Sequence, residues 1–188
     1  MPTDLAHLAY LTRLADSVTD EAERLVEGLT DAELLWRPAP SRWGVADCFS
    51  HLVALGHLYY PCVRAALDRA PLRDPEAPPP FYRRTLIGRL MIRLMGPRSR
   101  VRILTSPRLV PAVGDPAAPV RFVAQQALLR QLIEDAAARD LRGARVRSPL
   151  NRLIVLRVVE SLELLVVHER RHLVQAYRVM EDPEFPPA

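Results

Sequence analysis

The run His168-Glu169-Arg170-Arg171-His172 carries residue types at a spacing that suits metal chemistry. It matches HExxH, in which two histidines one helical turn apart hold zinc and the glutamate is the general base of a peptidase. An i, i+4 pair brings both imidazoles to one side of a helix, within reach of a single ion. A metal also needs a third protein ligand. Zinc peptidases of this pattern take it from downstream. Here Gln175 and Arg178 stand three and six residues past His172, and the later acids are Glu181, Asp182 and Glu184, in a tail broken by prolines. The peptidase reading is therefore weak.

A helix from about Val158 to Met180, ended by Pro183, must position the pair. Its inward stripe reads Val158, Ser161, Leu165, His168, His172, Ala176 and Val179. Both histidines thus point where the core residues point, and a buried imidazole must find a partner. Hydrogen bonds commonly serve a single histidine; a metal ion serves two at once. The better third ligand lies upstream. His51 sits between Cys48 and Leu55 at helical spacing and faces inward on a second helix. His57, six positions on, is about 240° round that helix and is read as a surface residue. His7, at the edge of an apolar stripe, is a remoter fourth ligand. Cys48 could bind a metal, though a small buried cysteine commonly just fills core. Glu169 can act as a base, but a structural salt bridge with a neighbouring arginine is the expected role. Arg170 and Arg171 are expected in solvent.

Four long amphipathic stretches organise the rest. The first runs from about Thr3 to Gly28, followed by a short turn capped by Thr30. The second runs from about Gly44 to Ala70, with Asp47 at the positive end of its dipole and a kink expected near Leu58 from Pro61. The third runs from about Pro119 to Arg139. Between them, Pro71 to Pro119 is proline-rich and holds one short amphipathic helix. Its apolar face is read as Leu86, Ile87, Leu90, Met91, Leu94 and Met95, opposite Arg83, Arg84, Arg89 and Arg93. After Gly143, RVRSPLNRLIVL suggests a short extended piece. The expected fold is all-α: one domain over residues 1–188, a four-helix bundle with a long connection between helices 2 and 3.

The net charge is +4, and all 26 basic residues are arginine. No aromatic-basic or recognition-helix pattern accompanies that charge, so no nucleic acid partner is expected. No uncharged apolar run is long enough to span a membrane, and no signal peptide is read; a cytoplasmic protein is expected. Two cysteines, Cys48 and Cys62, make no disulfide framework. Arg83 to Arg108 holds eight arginines and no acid. It could be an interfacial helix for anionic lipid, a mouth that draws acidic substrates, or a lid over the end of the bundle. The lid is expected, and no membrane partner, because so short a helix has little apolar area.

LTDAELLWRPAPSRWGVADCFSHLVALGHLYY resembles the second-helix region of the DinB-like (damage-inducible) superfamily, where a Trp, a capped helix start and an inward His followed by Leu recur. VRSP, an apolar helix and HERRHLVQAYRVM resemble that family's last helix. The resemblance spans nearly the whole chain. It implies a four-helix bundle holding a divalent metal, zinc, nickel or iron, by His51, His168 and His172. It also implies a small-molecule substrate, an anionic thiol among the candidates. Family members include thiol-dependent transferases and an isomerase, so a thiol transferase or hydrolase is the expected activity; a non-catalytic metal-binding or stress-response module is the alternative. No catalytic residue is assigned. Two positions depart from the pattern: Gly44 stands where the cap is commonly Ser, and Gly56 where a glutamate is often found. A homodimer through helix faces is the expected assembly.

Overall fold

The computed structural model describes residues 2–99, 101, 109 and 114–186. Among these are six helices and one hairpin: α1 (Asp4–Val26), α2 (Asp31–Leu35), α3 (Val45–Asp68), α4 (Leu86–Met95), α5 (Ala118–Ala137), β1 (Arg145–Arg147), β2 (Val155–Arg157) and α6 (Val158–Met180). Local chemistry sets the starts. Thr3 accepts from the Ala6 N–H at the head of α1, and Thr30 and Glu33 cap α2 reciprocally. Pro119 occupies the first turn of α5, where a missing N–H costs nothing. α3 continues through Pro61, which lacks the N–H that would bond the His57 carbonyl.

Helices α1 and α3 each pack against both α5 and α6. Their shared core includes Leu11, Val18, Phe49, Leu67, Phe122, Leu129, Ile133 and Leu162, with Phe49 and Phe122 edge to face at 5.4 Å. β1 and β2 pair antiparallel, Val146 opposite Leu156. The expected extended piece is thus a hairpin. No described helix is long and apolar enough to cross a membrane.

Residues 71–82 of the connection after α3 are stitched down. Asp4 and Tyr82 donate backbone bonds to Pro80 and Pro2 (2.9 Å each), and Asp140 donates to Pro71 (2.9 Å). α4 then lies across α6 with Gly88, Met91, Ile92 and Met95 inward, against Leu156 and Leu164. This corrects the predicted face. Leu86, Ile87 and Leu90 are exposed. The helix's apolar arc spans about two thirds of its circumference, so periodicity could not choose which part turns inward; the neighbour did. Gly88 is what permits the approach, since a Cβ there would run into the buried Glu160 carboxylate. That carboxylate accepts the Thr85 and Arg157 N–H groups, the latter at 2.9 Å. Of the arginine-rich stretch, Arg100, Arg102 and Arg108 lie outside the described residues.

One turn further along α6, Glu163 gathers a second buried set. Tyr82 Oη donates to Oε2 at 2.6 Å, Arg84 pairs through both nitrogens, and His7 Nε2 lies 3.3 Å away, its ring stacked on Tyr82. His7 is therefore committed here and is no fourth ligand. Burial alone would raise the Glu163 carboxyl; the His7, Arg84 and Tyr82 donors override it and hold the group down to about 2. Because its folded value lies below the ordinary 4.5, its stabilisation is present above pH 4.5 and fades as pH falls toward 2. Glu163→Gln is expected to lower the melting temperature at pH 7, with the gap to wild type narrowing from pH 4.5 to 2. Thermal melts by circular dichroism over that range check this; a constant gap would refute it.

Candidate metal centre

His51 lies two turns into α3, and the start of that helix fixes where it points. Trp36, the last residue before the chain turns toward α3, presses its carbonyl against Gly44; a Cβ at position 44 would collide with it. Gly44 therefore caps α3 without a side chain, and Asp47 supplies the reciprocal half of a capping box. Its Oδ2 accepts the Gly44 N–H at 2.8 Å, and Arg37 grips both oxygens at 2.6 Å. The Asp47 side chain is buried, so this clamp sets the register of α3 one turn before His51.

The structure brings His51, His168 and His172 together, and their nitrogens lie within 4.8 Å of one another. His168 Nε2 is 3.1 Å from His51 Nε2 and 3.2 Å from His172 Nε2. His51 Nδ1 lies 3.0 Å from the Leu109 carbonyl. That carbonyl only accepts, so His51 carries its proton on Nδ1 and turns a lone pair inward at Nε2. His168 Nε2 holds at most one proton between two neighbouring nitrogens. Either way, lone pairs converge in a buried place without protons enough to separate them. A cation would satisfy all three. A tetrahedral zinc at its usual 2.0–2.1 Å from nitrogen sets ligand atoms roughly 3.3 Å apart, close to the spacing seen. The donor set therefore fits a divalent ion.

Burial lowers all three histidines. His168 falls to about 3, with repulsion from His51 and Arg171 adding to burial. His172 lies well below its ordinary 6.5, and His51 is also lowered, against the pull of the Leu109 bond. All three are neutral at pH 7, the form that binds metal. Trp43 packs beside them, its ring 5.0 Å from His51 and 5.7 Å from His172.

Other residues differ from expectation. Glu169 is buried and pairs with no arginine among the described residues; Gln126 Nε2 on α5 donates to its Oε1 at 3.2 Å, and burial pushes its carboxyl up to about 8 against bonds from Gln126 and Tyr60. It faces the core between α3 and α5, away from the three imidazole nitrogens, so the peptidase role has no support. Arg171 is not in solvent: its guanidinium donates to the carbonyls of Leu94, Gly96, Ser99 and Val101, at 2.8–3.3 Å. Arg170 and His57 are exposed as expected, and Cys48 is core. At Gly56 the Gln125 amide occupies the space a larger side chain would need. Sequence periodicity had no means to find the Leu109 carbonyl or the Arg171 contacts, because both are backbone partners far along the chain.

A cleft of about 1150 Å³ opens over the histidines. Met91 and Met95 of α4 form one wall, and Arg42, Arg98, Arg171 and Arg178 line it. No carboxylate is among its described lining residues. A match to the DinB superfamily model covers residues 14–176, and the chain belongs to that superfamily. No curated protein and no solved structure matches it.

Asp47→Ala is expected to destabilise the fold by roughly 3 kcal/mol, the scale for breaking a buried ion pair. Chemical denaturation measures it; a change under about 0.5 kcal/mol, the surface range, would show that Asp47 does not clamp α3.

Proposed function

We propose that the chain is a metal-dependent DinB protein: a four-helix bundle of α1, α3, α5 and α6 whose His51, His168 and His172 hold a divalent ion. The ion is zinc, nickel or iron. The reading rests on one observation, the convergence of three neutral imidazole nitrogens beneath an open cleft. Such an ion supplies a Lewis acid able to activate water or a thiol near neutral pH. The protein's own residues do the rest. The Leu109 carbonyl and the ring of Trp43 orient His51, while α4 walls the cleft with Met91 and Met95.

The substrate we favour is a small anion, an anionic thiol in transfer or an ester in hydrolysis. Cationic walls without a carboxylate raise the local concentration of such a molecule. Arg171 is taken up by backbone carbonyls, and Arg42 lies 3.8 Å from Asp182. Arg98 and Arg178 are exposed and make no salt bridge among the described residues. They are the side chains placed to meet a carboxylate or thiolate.

Purified protein is expected to contain about one equivalent of divalent metal, as three imidazoles and an open position hold one ion. His51→Ala, His168→Ala and His172→Ala should each weaken binding by more than about 100-fold, since changes outside the ligands already reach that scale. Elemental analysis and competitive titration test this. Retention of metal in all three variants would sink it.

Nickel should quench Trp43 fluorescence on binding, and Trp43→Phe should lose most of that signal while keeping the stoichiometry. For catalysis, the metal-loaded protein is assayed with thiol acceptors and simple esters. Replacing Arg98 and Arg178 together by Ala should raise KM several-fold with kcat little changed. No turnover above free metal would leave the non-catalytic metal-binding module as the function.

A further inference from the structure

We propose that the outer side of α4, with the neighbouring hairpin, is a docking surface for a bilayer containing anionic phospholipid. The inference is independent of the metal, and it reverses the expectation of no membrane partner because the hairpin packed on α4 adds apolar and basic surface that the short helix alone lacks. It starts from where the apolar side chains went. On α4 the inward side is taken by Gly88, Met91, Ile92 and Met95. Leu86 and Leu90 fall on the opposite side, 81% and 54% exposed, beside Arg89 and Arg93, which are also exposed. Leaving two leucines so exposed on one turn is unfavourable for a surface that meets only water. Phe81, just before the helix, is 67% exposed, and Leu153, in the turn of the hairpin, is 88% exposed.

Helix and hairpin form one unit. Ile154, next to Leu153, packs in the same cluster as Met91, Ile92 and Met95, and Arg157 Nη1 donates to the Arg83 carbonyl at 3.2 Å. The charge pattern then names the partner. Residues 81–99 and 141–157 carry five arginines each and no acid, although the chain has 22 acids in all. Only Arg84 and Arg142 of these ten make salt bridges among the described residues, with Glu163 and Asp140. Aliphatic side chains that project among unpaired arginines match a bilayer, whose acyl boundary takes the first and whose headgroups take the second. A symmetric second copy would set arginine against arginine. Nucleic acid would use the arginines but leave the leucines without a partner.

The experiment sediments the full chain with vesicles of phosphatidylcholine alone or mixed with phosphatidylglycerol, at low and high salt. Binding is expected to the mixed vesicles and to fall with salt. Arg89→Gln with Arg93→Gln should lower the partition coefficient about 30-fold, at roughly fivefold per basic residue. Leu86→Ser with Leu90→Ser should lower it about tenfold. Both pairs are exposed, so helical content and melting temperature should match wild type, which separates lost docking from lost folding. Equal binding to neutral and anionic vesicles, or none to either, would overturn the proposal. So would an unchanged partition in the leucine variant, which would reduce the surface to a general polyanion binder that duplex DNA also titrates.

Discussion

Everything at the candidate site depends on keeping three imidazoles uncharged and close together inside the protein. Burial makes their protonation unfavourable, and the nitrogens face one another with unshared electron pairs. Such an arrangement is not one that hydrophobic packing alone would select. It has to be held by surrounding structure: the Asp47 clamp that sets α3, the Leu109 carbonyl that fixes one tautomer, and the close packing of α6. The ligands differ in how they are held. Two share a rigid helix face, and the third arrives from a helix whose start is fixed separately.

α6 carries more than its two histidines. Glu160, Glu163, Glu169 and Arg171 are buried or half-buried on it, and each is answered from a distant part of the chain. Glu160 and Glu163 receive residues 82 to 85 at the start of α4, and Arg171 receives the carbonyls at its end. A buried carboxylate without a donor would be destabilising by several kcal/mol. The helix therefore imposes the path of the segment that walls the cleft, and the wall is fastened at both ends by polar contacts rather than by apolar packing alone.

The sequence made some of this legible and concealed the rest for physical reasons. α6 spans Val158–Met180, as its apolar spacing and Pro183 indicate, and Thr3, Thr30 and Gly44 mark true helix starts. The stripes through His51, His168 and His172 were readable because side-chain direction follows from helical period. Period says nothing about partners. An acid in an apolar helix looks like a surface residue until its donor, some 75 to 80 positions away, is known. α4 shows the same limit from the other side. With an apolar arc wider than the buried side can take, its orientation was decided by Glu160, Leu164 and the hairpin, none of which its own sequence encodes.

The hairpin has one more property. β2 ends at Arg157 and α6 begins at Val158, so no residue of slack separates them. A strand joined stiffly to a helix works as a lever: a force that tilts or twists the hairpin turns the helix about its own axis. Ten and fourteen residues on, about three and four turns, that torque reaches the imidazoles, which would shift against the fixed His51. A load on the hairpin thus has a direct route to the spacing of the nitrogens.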